Sequence, residues 1–134
     1  MIHNYSFERL DVWQKSRIFV ITIYELTTKF PNSEIYGMVS QIRRAAVSIS
    51  SNIAEGTSRS SLKEQIRFIE IAYGSALEVY CQLISSKDLG FINDNELEKT
   101  VLSIREITNK LNALRKSLQQ RATKQLTTKQ INII

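Results

Sequence analysis

One cysteine, one histidine, one proline and four glycines are all that this chain of 134 residues contains of those types. A lone cysteine, Cys81, closes no disulfide within the chain. With His3 the only histidine, neither a zinc site of Cys and His ligands nor a Cys–His catalytic pair can be assembled. No stretch approaches the ~20 apolar residues of a membrane-crossing helix. The opening Met1, Ile2, His3, Asn4, Tyr5, Ser6 lacks the cationic and then apolar pattern of a signal peptide. The expectation is a cytoplasmic protein without metal, cofactor or membrane contact. What is present, 43% hydrophobic and 23% charged residues, suits one domain around a single core.

The scarce helix breakers act as punctuation. Pro31 cannot continue a helical ladder and ends the first periodic segment, while Gly56 and Gly90 each follow an apolar-periodic stretch and read as left-handed C-terminal caps. Ser61 with Glu64, and Asn93 with Glu96, have the spacing at which a capping side chain and a carboxylate satisfy each other's backbone donors. The spacing therefore predicts helices over 8–30, 33–55, 62–88 and 94–120.

Apolar residues recur at helical intervals in all four. The first carries Val12, Phe19, Ile23, Leu26 and Phe30; the second Ile35, Met38, Ile42, Ala45, Ile49 and Ile53. The third steps through Leu62, Ile66, Ile69, Tyr73, Ala76, Tyr80 and Leu83, and the fourth through Leu97, Ile104, Leu111 and Leu118. Short connections make sequential helices antiparallel neighbours. The fold expected is all-α, an antiparallel up-and-down four-helix bundle over 1–121, with 122–134 a basic, flexible tail. Trp13 and the five tyrosines fall mostly on apolar faces and read as core or interface anchors, not as platforms for stacking bases.

Two features of the third helix exceed what a solitary bundle needs. Its apolar arc widens through Phe68, Ile71, Ala72 and Val79, which points to a second subunit. Gly74 costs about 1 kcal/mol in a helix interior relative to alanine, so close approach of another helix is the expected reason for it. On the second helix Gln41, Ser48, Asn52 and Glu55 line one shoulder of the apolar stripe. Asn52, an amide at the seam's edge, must find partners, and Glu55, Arg59, Ser75 and Glu78 are the candidates for a structural network that fixes register.

Charge is unevenly spread. From Arg105 onward there are seven basic residues and one acid, a balance of +6, whereas the rest of the chain, 11 basic against 12 acidic, sums to −1. Such asymmetry suggests contact with a polyanion, through Arg105, Lys110, Arg115, Lys116, Arg121 and Lys124, with Arg43, Arg44 and Arg59 as further contributors. No strand motif for RNA, helix-turn-helix or phosphate loop occurs, so binding would be chiefly electrostatic. The competing reading is a protein-binding adaptor. Nothing groups the serines, tyrosines, lysines and carboxylates into catalytic machinery, so no enzyme is expected.

The run Gln-Ile-Arg-Arg-Ala-Ala-Val-Ser-Ile-Ser-Ser-Asn-Ile-Ala-Glu-Gly from Gln41 to Gly56 resembles the signature of the four-helix-bundle proteins named for intervening sequences in bacterial 23S ribosomal RNA genes. Leu10-Asp11-Val12-Trp13-Gln14, Phe30-Pro31 before Glu34 and Tyr36-Gly37, and Phe68 through Gly74-Ser75-Ala76 with Glu78 and Gln82-Leu83 are similar in order and spacing. The resemblance implies an antiparallel bundle that assembles into a ring-like homo-oligomer, a pentamer, with no catalytic residues. RNA or DNA is the partner it suggests.

Overall fold

A computed structural model describes residues 4–133; His3 and Ile134 lie outside the described residues. The chain enters through a 3-10 turn, Ser6–Arg9, in which the Glu8 carboxylate accepts the Tyr5 N–H at 3.2 Å. Helix α1, Asp11–Thr27, follows at once and closes before Pro31, its last turn tightened by Thr27 Oγ1 donating to the Ile23 carbonyl at 2.7 Å. A second 3-10 turn, Asn32–Glu34, ends where the Glu34 carboxylate accepts the Met38 N–H at 3.1 Å. That contact starts α2, Met38–Thr57, five residues later than the periodicity predicts. Ile35 accordingly drops out of the apolar stripe and is exposed.

Helix α3, Leu62–Asp88, is capped by Ser61, whose Oγ accepts the Glu64 N–H at 3.1 Å. It ends in a Schellman arrangement: Gly90 takes φ 81°, and the Phe91 N–H reaches back to the Ser86 carbonyl at 2.8 Å. Gly90 is therefore the left-handed cap the sequence predicts. Gly56 is not. It lies inside α2, buried, where an added Cβ would come within 3.0 Å of Phe68 Cβ, so its role is close packing of α2 on α3. Gly74 shows the reverse, since a Cβ added there would meet nothing within 4 Å beyond its own helix backbone.

Asn93 and Glu96 form the reciprocal box, Glu96 N–H to Asn93 Oδ1 at 2.8 Å and Asn93 N–H to Glu96 Oε1 at 3.0 Å, and launch α4, Asp94–Ile133. The helix does not stop near 120. No glycine or proline interrupts the sequence after Gly90, so the stretch expected as a separate tail continues the helical ladder.

Cross-helix contacts fix the directions. Ser48 meets Ser75 and Gln41 meets Gln82, so seven residues back along α2 are matched by seven forward along α3. Lys15 meets Glu106 and Asp11 meets Lys110, four back on α1 against four forward on α4. Both pairs of helices are antiparallel, and the four pack around Phe19, Ile23, Ile42, Ile49, Ile53, Leu83, Ile107 and Leu111. Helix α3 sits between α2 and α4 and buries apolar side chains against both. Among the described residues no helix is long and apolar enough to cross a membrane.

Candidate functional site

The cations of α4 do not share one face. Arg105 and Lys116 are eleven residues apart, as are Lys110 and Arg121. Eleven residues are about three helical turns, so each pair stacks, but on different sides of the helix. Lys110 is engaged by Asp11 on α1 at 2.6 Å. The hydrogen bond to Lys110 holds the Asp11 carboxyl below its ordinary value, and the same bond raises the Lys110 ammonium. Arg115 is half-buried, donating to Asn112 Oδ1 at 3.1 Å, with its Nε buried and unpartnered. Arg105, Lys116, Arg121 and Lys124 remain exposed.

Lys116 and Lys124 border a shallow hollow with Gln119, Gln120 and Thr123, and Arg121 leans over the bundle's end beside Leu10, Gly56 and Leu118. Leu118 is the last residue of α4 that the core buries. Past it the helix stands in solvent, with Leu126 and Ile131 exposed. No Asp or Glu occurs after Glu106. This projecting rod is thus cationic without internal compensation.

The polar shoulder separates into pieces. Asn52 Nδ2 donates to the Ser48 carbonyl at 2.8 Å and to Ser48 Oγ at 2.9 Å, and Ser48 Oγ meets Ser75 Oγ at 2.9 Å across the α2–α3 seam. Gln82 Nε2 reaches Gln41 at 3.5 Å and Glu78 at 3.4 Å nearer the other end. Glu55 and Arg59 form an exposed ion pair at 3.6 Å apart from both groups, and the Arg59 guanidinium lies 4.6 Å from the centre of the Phe68 ring. No group of His, Cys, Asp and Glu among the described residues could hold a metal ion.

Of the four residues expected to face a second subunit, Phe68, Ala72 and Val79 are buried within the single chain. The wide arc of α3 is taken up by α2 on one flank and α4 on the other. Only Ile71 stays at the surface, 39% exposed.

Most of the tyrosines are not core anchors. Tyr36 is 97% exposed, Tyr5, Tyr24 and Tyr80 are exposed, and Tyr73 alone packs partly against the core. Tyr36 precedes Gly37 in the stretch between the second 3-10 turn and α2, where no helical periodicity applies and a wheel assigns it no face. Near it lie Arg43, whose Nε donates to Thr27 Oγ1 at 2.9 Å, and Arg44, which makes no hydrogen bond or ion pair among the described residues.

The family model of the 23S rRNA-intervening sequence protein matches residues 8–113. The match covers the bundle and stops short of the projecting end of α4. Among similar solved structures is a protein of unknown function from the S23 ribosomal protein family of Bacteroides thetaiotaomicron. It is 27% identical, with a TM-score of 0.73 over 78% of this chain and 98% of that one. No curated protein matches the chain.

Proposed function

We propose that this chain, which belongs to the 23S rRNA-intervening sequence protein family, is a non-catalytic protein of the cytoplasm that binds nucleic acid, RNA or DNA, chiefly by electrostatic attraction. The observation that supports this most is the end of α4: a helix that leaves the bundle after Leu118 and carries Arg121, Lys124 and Lys129 with no acid to offset them. Past Leu118, from Gln119 to Ile133, it runs for fifteen residues, roughly 22 Å at the rise of an α-helix, enough to lie along several phosphates. A second, weaker contribution comes from Arg105 and Lys116 on the bundle itself. Lys110 and Arg115 are engaged by Asp11 and Asn112 and contribute least.

We also infer self-association. Leu77, Tyr80 and Ile84 follow one another at helical spacing along α3, 46%, 36% and 38% exposed, and form a row that the bundle leaves uncovered. Each added subunit would bring another cationic rod, and linked sites reinforce one another.

The deciding experiment compares the intact protein with a form ending at Gln120 on mixed RNA and DNA over a series of salt concentrations. The truncated form lacks Arg121, Lys124 and Lys129, so its net charge falls from +5 to +2. The intact protein is expected to lose affinity steeply with salt, and the truncated form to bind more weakly with a shallower slope. No binding by the intact protein at low salt would defeat this reading and favour a protein-binding adaptor.

A further inference from the structure

We propose that the hollow between α1 and α2, walled by Tyr24, Tyr36, Arg43 and Arg44, binds a nucleotide of single-stranded nucleic acid, its phosphate on Arg44 and its base on the Tyr36 ring. The proposal rests on the nucleic-acid reading above and adds a place and a strandedness to it. The hollow measures about 650 Å³, within the range of roughly 300–1,000 Å³ usual for sites that take small organic groups. Its lining includes no carboxylate, although the chain carries 13 acidic residues. Two acids adjoin lining residues in sequence and neither lines the hollow: Glu34, next to Ile35, accepts the Met38 N–H at the start of α2, and Glu25, next to Tyr24, is exposed on α1.

The two arginines play different parts. Arg43 is immobilised: besides its bond to Thr27 Oγ1 it donates to the Tyr24 carbonyl at 3.3 Å, and its guanidinium lies 4.3 Å from the centre of the Tyr24 ring. It forms a fixed positive wall. Arg44 is exposed and unpaired among the described residues, so its planar fork is free to take a phosphate through two parallel hydrogen bonds. Arg44 and Tyr36 also line a smaller hollow on their other side, with Ser40, Ser48 and Glu78. A carboxylate there repels phosphate, which directs a strand along the α1–α2 side.

Tyr36 supplies the surface for the base. A ring 97% exposed packs against nothing in its own chain, and stacking on a base would withdraw one apolar face from water. Asn32, Thr28 and Ser40, in the same lining, offer polar groups to sugar and base edges. A duplex keeps its bases stacked on one another and has none to give to Tyr36, whereas a single strand has a π-face at every position.

The test measures binding of a labelled single strand of about 12 nucleotides, within the roughly 4–16 that a single-strand-binding OB fold covers, and of the matching duplex. The proteins are the intact chain, Tyr36→Ala, Tyr36→Phe, Arg44→Ala and the form ending at Gln120. Tyr36→Ala is expected to weaken single-strand binding on the order of tenfold without changing its salt slope, and Tyr36→Phe to bind like the parent. Arg44→Ala should weaken binding and reduce the slope by about 0.7, the value for one phosphate of a single strand. Duplex binding should change less than twofold in all three. Both positions are exposed, so circular dichroism of the variants should match the parent. Unchanged single-strand binding by Tyr36→Ala overturns the proposal, and if truncation still weakens binding, the broader reading stands. Equal losses on single strand and duplex also overturn it, reducing the hollow to a phosphate contact. No binding by the intact protein removes both readings.

Discussion

At the scale of single residues, one contact that ties α2 to α3 is a hydroxyl pair. Ser75 is buried, and its Oγ lies 2.9 Å from Ser48 Oγ, which also accepts from Asn52. With Asn52 donating to Ser48, the Ser48 proton is free to go to Ser75. A neutral hydrogen bond of this kind contributes about 0.5–1.5 kcal/mol net, and a double-mutant cycle isolates it. Ser48→Ala, Ser75→Ala and the double variant should therefore show a coupling energy of about 1 kcal/mol in denaturant unfolding. Additivity within about 0.3 kcal/mol would mean that the two hydroxyls act independently. The Glu55–Arg59 pair is exposed and should matter far less. That Asn52 needs partners was legible from its place on the stripe's edge. That its amide bonds only to Ser48, leaving Glu55, Arg59 and Glu78 aside, was not, because side chains at one spacing on a helix can turn to either neighbour.

Elements were legible where stop and start signals act through the backbone alone. Ser61 and the Asn93–Glu96 box stand where the caps are, and Gly90 adopts the positive φ its position implies. Signals that depend on a neighbouring element were misread. Gly56 has the same sequence context as a cap, yet its reason is Phe68 on another helix. The start of α2 is set by Glu34, a side chain whose direction the periodicity of Ile35 and Met38 does not reveal. The fourth helix overran its expected end because an absence of apolar partners is not a stop. Two glycines turn this distinction into opposite outcomes. Gly74→Ala adds a methyl group into open space on an exposed helical face and should stabilise the protein by about 0.5–1 kcal/mol. Gly90→Ala forces a side chain into the left-handed region and should cost about 1–2 kcal/mol. Thermal melts check both. Should Gly74→Ala destabilise instead, a second chain must pack against that position.

For the whole molecule, the width of an apolar arc on one helix counts its neighbours without saying which chain supplies them. Phe68, Ala72 and Val79 were expected between subunits, and α2 and α4 of the same chain cover them. The cationic end of α4 was legible as composition, but its geometry depends on where the core stops, and Leu118 marks that point only once the bundle is closed. One surface that can join subunits is a row on α3 that the bundle leaves bare, Leu77, Tyr80 and Ile84, with Ile71 on the same helix. Three large side chains half out of water are more than isolated surface aliphatics, and burying them on a second copy would be favourable at about 25 cal/mol per Å² of apolar area. Light scattering at micromolar concentration should give a mass that is a whole multiple of 15.4 kDa. The double variant Leu77→Glu, Ile84→Glu should lower that mass toward one chain while its helix signal persists, because neither position is buried in the single bundle and like charges would then face one another across the contact. A parent protein with the mass of a single chain at every concentration would remove self-association altogether. An unchanged assembly in the double variant would keep it and move the interface off this row.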